Sequence, residues 1–172
     1  MLAEEVYRRY KRFKVPSILL KKPLKELCKP PEKFSLQPQQ AFLHEFMGPS
    51  SKQRGILLFH KIGSGKTCSA IQIGEAWKKT RKIIVVVPAF LIPNFYNELR
   101  SPCTGDSYKA ATEVEAMERI HKHYAIYSYH KFIASLSRIS LANAVLIIDE
   151  VHNMVSEDGN FYTSLKAKLA RA

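Results

Sequence analysis

Five consecutive residues at positions 63–67 have the composition of a phosphate-binding loop. Glycines let such a loop curl until successive backbone N–H groups point towards phosphate oxygens. We expect the Lys66 ammonium to reach the β- and γ-phosphates and the Thr67 hydroxyl to bind Mg²⁺. The full pattern begins with glycine, whereas this sequence has His60 there, which stiffens the first turn but leaves the cradle intact. The residues expected to surround the phosphates are Gly63, Ser64, Gly65, Lys66 and Thr67.

A pair of adjacent carboxylates, Asp149 and Glu150, follows a run of apolar residues at 145–148. Such a run is typical of a buried strand, and ligands of parallel α/β sheets bind at the carboxyl ends of the strands. Neighbouring residues at a strand end point in different directions, which suits two tasks. We expect Asp149 to hold the Mg²⁺ that bridges the phosphates and Glu150 to accept a proton from the attacking water.

Strands that alternate with helices must bring these two segments together. Apolar runs that predict strands occur at residues 55–59, 83–87, 124–128 and 145–148. Helical patterns occur at residues 38–47, 66–79, 94–100, 112–122, 130–139 and 161–171. The five consecutive β-branched residues at 83–87 are typical of a parallel strand covered on both faces. The alternation therefore predicts an α/β fold with a parallel sheet, right-handed crossovers and flanking helices.

The formal net charge of +12 favours polyanionic partners: nucleic acid, nucleotides or an acidic membrane surface. Ten basic and four acidic residues lie within residues 1–33, so about half of the net charge is concentrated there. We predict a short amphipathic basic helix that ends before Pro16, followed by a proline-containing connector. This N-terminal segment, 1–33, precedes a main unit, 34–172. It is either an appendage packed on that unit or a contact for nucleic acid or a partner.

The cysteines and the apolar runs of the sequence indicate the cellular compartment of the protein. The three cysteines, Cys28, Cys68 and Cys103, are odd in number and far apart, which favours reduced thiols over a disulfide framework or a zinc site. The longest apolar run, 83–92, is interrupted by Pro88 and is too short to span a membrane. The charged N-terminus also lacks the apolar region of a secretory signal. We therefore expect an intracellular protein with no membrane association.

Residues 63–67, together with Asp-Glu-Val-His at 149–152, resemble the first RecA-like domain of superfamily 2 helicases and translocases, in the DExH variant. The resemblance covers about residues 34–155 and implies a P-loop NTPase fold. It implies ATP and Mg²⁺ as cofactors and nucleic acid, DNA or RNA, as the partner. The implied activity is a nucleic-acid-dependent ATPase or helicase in which Lys66 and Glu150 are catalytic. His152 is then the residue that couples the nucleotide state to a later motif.

Further segments resemble motifs of the same family. The sequence at 36–40 is similar to a segment whose final glutamine reads adenine, which makes Gln40 the candidate. Pro88 begins a segment similar to one that touches the nucleic-acid backbone, and Ser128 with Tyr129 resembles a pair that faces the bound strand. Residues 57–67 resemble the ATPases of large DNA viruses, including poxvirus early transcription factor subunits. That likeness implies the host cytoplasm or the virion as the location.

Two parts of the family pattern are missing from this sequence. One is a Ser-Ala-Thr-like motif on a strand that lies between the phosphate-loop strand and the acidic strand. The other is a second RecA-like domain with an arginine finger. The resemblance therefore implies that this chain is the truncated N-terminal part of a longer protein, with an incomplete sheet. By itself, the chain is expected to be poorly soluble or to have a deformed sheet, and to show little turnover.

Two other interpretations stay open. The chain could be a P-loop ATPase of another branch, such as an AAA+ or genome-packaging motor. It could also be a non-catalytic nucleotide-binding subunit of a transcription factor, although such a subunit needs no general base and the sequence offers one at Glu150.

Overall fold

The structure is a computed structural model that describes residues 3–14, 23, 33–61, 63–153 and 160–170. The helices in these ranges are α1 (Ala3–Tyr10), α2 (Pro38–Phe46), α3 (Lys66–Trp77), α4 (Ile92–Leu99), α5 (Glu113–His123), α6 (Tyr129–Ala134) and α7 (Asn160–Leu169). The strands are β1 (Lys82–Val87), β2 (Tyr124–Ser128) and β3 (Ala144–Ile148). None of these helices is both long and apolar enough to cross a membrane.

The three strands form one parallel sheet in the order β2-β1-β3. The central strand is β1, whose residue Ile83 lies opposite Tyr124 of β2 and Val145 of β3. All of β1 after its first residue is buried, as expected for a β-branched run covered on both faces. The chain therefore has the predicted α/β fold, and its short parallel sheet with flanking helices is part of a RecA-like domain.

Alternate residues of β1 enter two separate hydrophobic cores, because successive side chains of a strand point to opposite faces. Ile83, Val85 and Val87 pack with residues of α3, α4 and α5 on one face of the sheet. Ile84 and Val86 pack with residues of α6 and α7 on the other face. Helices thus cover both faces, and the carboxyl ends of β1 and β3 emerge at one edge of this sandwich.

The basic helix α1 packs against α2. The Tyr10 ring, 7% exposed, makes edge-to-face contacts with Phe42 and Phe46 at centroid distances of 5.2 and 5.6 Å. An ion pair between Arg12 and Glu45 flanks this aromatic cluster. Apart from Pro23, the predicted proline-containing connector lies outside the described residues.

The predicted strand at residues 55–59 is wrong, because residues 51–61 have no regular secondary structure. The side chains of Leu57 and Phe59 are 75% and 96% exposed. A strand must pair with a neighbour, and β1 already pairs with β2 and β3 on its two sides. The strand that the family pattern places beside β3 does not occur in the described parts of the chain. A cleft of about 1470 Å³, lined by residues 51–60 and by β3, lies there instead.

The prediction of reduced thiols is wrong for two of the three cysteines. Cys68, in the first turn of α3, forms a disulfide with Cys103, with 5.8 Å between their Cα atoms. The turn that follows α4 packs on α3, and the Gln72 side-chain amide donates a 2.6 Å hydrogen bond to the Cys103 carbonyl. Packing thus brings together two residues that are 35 positions apart, which spacing in the sequence does not reveal. Cys28 lies outside the described residues.

Candidate active site

The glycine loop adopts a conformation that only glycine takes easily. Gly63 and Gly65 have φ angles of +79° and +74°, in the left-handed region. A Cβ atom at Gly65 would also lie 2.6 Å from the side-chain nitrogen of Gln40, closer than any real contact. Helix α3 begins immediately afterwards at Lys66, so its N-terminal N–H groups and positive dipole end face the loop. This backbone is suited to binding an anion.

The Gly65 carbonyl joins three parts of the structure. It accepts hydrogen bonds from the Ser69 backbone N–H and hydroxyl at 3.0 and 3.1 Å, and from the Gln40 amide at 3.4 Å. Gln40 is 4% exposed, and its carbonyl oxygen accepts the Gln37 backbone N–H at 2.9 Å in the capping box of α2. Gln40 therefore ties α2 to the phosphate loop, and its expected contact with adenine stays a prediction.

The acidic pair sits in a tight turn at the carboxyl end of β3. The Asp149 N–H donates to the Val86 carbonyl at 3.0 Å, which extends the pairing of β3 with β1 by one residue. Glu150 then turns the chain with φ +52°, which is uncommon for a residue with a side chain. The Glu150 N–H donates to the Asp149 carboxylate at 3.0 Å. The turn therefore holds both carboxylates at the sheet edge.

The structure brings the loop lysine to this acidic pair. The Lys66 ammonium lies 2.7 Å from a Glu150 carboxylate oxygen and 3.7 Å from one of Asp149, although 84 positions separate Lys66 from Glu150. His152 adds a ring nitrogen 3.3 Å from the other Glu150 oxygen and is largely exposed. The predicted proximity of the phosphate loop, through Lys66, to the pair Asp149 and Glu150 is confirmed. The side chains of Lys66 and Glu150 are 33% and 31% exposed, so solvent reaches the pair.

The ion pair shifts the pKa values of both partners. The hydrogen bond from Lys66 to Glu150 raises the pKa of the Lys66 ammonium above its ordinary 10.5, and burial opposes this change. The same hydrogen bond lowers the pKa of the Glu150 carboxyl below 4.5. Both groups are therefore charged over the whole neutral range.

These side chains fit a bound Mg²⁺–triphosphate. Carboxylate and hydroxyl oxygens are the ligands that Mg²⁺ prefers, and Asp149 and Thr67 supply them. Thr67 is the second residue of α3 and is partly buried. Lys66, Asp149, Glu150 and His152 all line the cleft described above. The Lys66 ammonium already neutralises the acids, so an incoming triphosphate competes for it.

The three candidates for nucleic-acid contact are buried. Pro88 follows β1 as a buried residue, and Ser128 and Tyr129 are 7% and 8% exposed. The Ser128 hydroxyl accepts the Lys131 N–H at 3.4 Å and caps α6. Their contacts with nucleic acid stay predictions.

One contact at this site escaped sequence reasoning. The single proton of the Tyr129 hydroxyl is shared between two backbone carbonyls, the nearer one of Asp149 and that of Glu150 at 2.9 Å. Burial, together with the nearby carboxylates, raises the pKa of Tyr129 to about 12, so its proton is present at physiological pH. No local pattern signals this contact, because 20 residues separate the tyrosine from the acids.

Comparison with known proteins identifies the family. Residues 22–172 match the family described as type III restriction enzyme, res subunit (ResIII), and the chain belongs to this family. A provisionally named ATP-dependent RNA helicase of Acanthamoeba polyphaga mimivirus is 41% identical over 182 residues, which cover 94% of this chain and 31% of that protein. A provisionally named helicase of Invertebrate iridescent virus 3 is 27% identical over 78% of this chain and 17% of its own length.

The early transcription factor 70 kDa subunit of fowlpox virus is also similar, at 30% identity over 66% of this chain and 18% of that subunit. The chain thus spans about a third or less of the length of these relatives. No solved structure matches it. The resemblance to superfamily 2 helicases and to ATPases of large DNA viruses is confirmed.

Proposed function

We propose that this chain is the ATP-binding part of a helicase-like ATPase that uses ATP hydrolysis to unwind nucleic acid or to move along it. The observation that carries the proposal is the contact of Lys66 with Asp149 and Glu150 beside the cleft that they line. The names of the viral relatives support ATP use and a helicase-like activity. They also support a location within a virus-infected cell, and we place the protein in the host cytoplasm or the virion.

Each residue of the site has a separate role in the proposed reaction. The backbone at Gly63 and Gly65, with Ser64, surrounds the phosphates, and Lys66 leaves Glu150 to bind the β- and γ-phosphates. A bound Mg²⁺ supplies charge neutralisation between the phosphates, and the oxygens of Thr67 and Asp149 hold it.

Glu150, freed from the lysine, orients the attacking water and accepts its proton. His152, which already contacts Glu150, reports the state of the nucleotide to the rest of the protein. Gln40 lies against the loop and reads adenine once its amide turns from the Gly65 carbonyl.

Coupling to nucleic acid requires more than this chain. We propose that residues 34–172 form the N-terminal part of a RecA-like domain, and that a second such domain supplies an arginine finger, worth about 10³–10⁵ in rate in related phosphoryl-transfer enzymes. The short coverage of the relatives supports a longer protein. The net charge of +12 supports a polyanionic partner.

The test is ATP hydrolysis by the full-length protein with and without DNA and RNA. We expect magnesium-dependent turnover that either polymer stimulates and that Glu150→Gln abolishes. Turnover that persists in this variant would remove Glu150 from the mechanism, and the absence of stimulation by both polymers would remove the helicase-like assignment.

A non-catalytic role in transcription is the second candidate, favoured by the fowlpox subunit that carries the name of a transcription factor. It predicts that ATP binds to the full-length protein without turnover under any condition. The complete Asp149–Glu150 pair in contact with Lys66 favours catalysis over this alternative.

A further inference from the structure

Tyr129 occupies a buried position behind the turn formed by Asp149 and Glu150, which we call the acidic turn. It is the first residue of α6, directly after β2, and its ring packs near Phe161 of α7 at a centroid distance of 6.3 Å. Its hydroxyl points towards the turn that follows β3 and contacts the backbone carbonyls of Asp149 and Glu150. Tyr129 therefore connects the end of β2 to the turn after β3, two segments that are apart in the sheet because β1 lies between β2 and β3.

The acidic turn needs such support. Glu150 has φ +52°, a left-handed conformation that is unfavourable for a residue with a side chain. The turn is also the end of an edge strand that pairs with β1 alone among the described residues. Two hydrogen bonds from outside the strand ladder reach the Glu150 carbonyl, one from the Asn153 N–H at 3.0 Å and one from Tyr129 at 2.9 Å.

We propose that Tyr129 is a positioning residue: its hydroxyl holds the two carbonyls of the acidic turn, so that the Asp149 and Glu150 carboxylates stay opposite Lys66. The inference rests on the proposed function for its catalytic consequence. Its structural consequence, an ordered turn, does not depend on ATP. The proposal gives the hydroxyl an inward role, distinct from the contact with nucleic acid that the sequence suggested.

The test is Tyr129→Phe, which removes the hydroxyl and keeps the ring. The matched control is Tyr108→Phe, since the Tyr108 hydroxyl is also buried and donates a 2.7 Å hydrogen bond, to Glu75 on α3. In the full-length protein, free of metal and nucleotide, amide hydrogen exchange at residues 149–153 is measured by mass spectrometry. We expect about tenfold faster exchange in Tyr129→Phe, the equivalent of one lost buried hydrogen bond, and no change there in Tyr108→Phe.

A second readout uses the full-length protein. We expect Tyr129→Phe to lower kcat for ATP about tenfold while KM for ATP changes less than twofold, because the phosphate loop itself is unaltered. Exchange at 149–153 that matches the wild type, or that rises equally in Tyr108→Phe, would overturn the proposal. If the wild-type protein hydrolyses no ATP, the proposed function fails, and the exchange measurement still decides the role of Tyr129.

Discussion

Replacing Glu150 with glutamine should make the protein bind ATP more tightly while abolishing its hydrolysis. The Lys66 ammonium lies 2.7 Å from the Glu150 carboxylate, so ATP must break this pair to recruit the lysine. Glu150→Gln removes the nearer of the two carboxylates that compete for Lys66 and leaves Asp149 at 3.7 Å. Both side chains are about one third exposed, and partly exposed pairs of this kind contribute about 0.2–1 kcal/mol. The dissociation constant should therefore fall about 1.4- to fivefold.

The assay is isothermal titration calorimetry with Mg²⁺ and a non-hydrolysable ATP analogue, so that binding is measured without turnover. The gain should shrink at high salt, because salt screens a solvent-accessible pair. The matched control is Glu118→Gln, an identical change of charge at an exposed position on α5. It separates the effect of the ion pair from that of the more positive net charge.

The reasoning fails if Glu150→Gln binds the analogue more weakly than the wild type, or if Glu118→Gln improves binding equally. Weaker binding would mean that the Glu150 carboxylate stabilises the ATP-bound state more than its pairing with Lys66 opposes ATP binding. Equal improvement would mean that overall charge, and not the 2.7 Å contact, sets the affinity.

The other predictions concern the same loop and pair. Lys66→Ala should abolish both ATP binding and turnover in the full-length protein, measured by calorimetry and phosphate release; turnover that survives would exclude Lys66 from the site. The stabilisation of the wild type over Glu150→Gln should be constant at neutral pH. It should disappear as the pH falls through the lowered pKa of Glu150, below 4.5, and again as it rises through the raised pKa of Lys66, above 10.5. Urea unfolding midpoints over a pH series test this, and a midpoint difference that changes near pH 7 would contradict it. Gly65→Ala should weaken ATP binding more than Gly63→Ala: both positions have positive φ, but only at Gly65 does a Cβ meet the Gln40 amide, at 2.6 Å. Equal losses of affinity in the two variants would show that the contact with Gln40 is unimportant.

Local patterns in the sequence were sufficient for the overall architecture. The run of β-branched residues at 83–87 could be stable only as a strand covered on both faces, and it is the central strand of the sheet. The glycines at positions 63 and 65 predicted a curled loop before Lys66, and both have positive φ angles directly before α3 begins. Such features depend on residues that are neighbours in the chain, so their physics is visible in the sequence.

Strand pairing and long-range contacts depended on the tertiary structure. Residues 55–59 are as apolar as a strand, but a strand exists only where a partner accepts its hydrogen bonds, and none stands beside them in the described parts of the chain. The disulfide between Cys68 and Cys103 likewise depends on how the turn after α4 packs on α3.

The site itself combines both kinds of information. Residue types and spacing were enough to nominate Lys66, Asp149 and Glu150, because phosphate and metal chemistry requires a cation and carboxylates at strand ends. Only the folded chain determined that the lysine bonds to Glu150, and that the Tyr129 hydroxyl contacts the carbonyls of the acidic turn. These contacts join residues 84 and 21 positions apart, and their formation depends on the order of strands in the sheet.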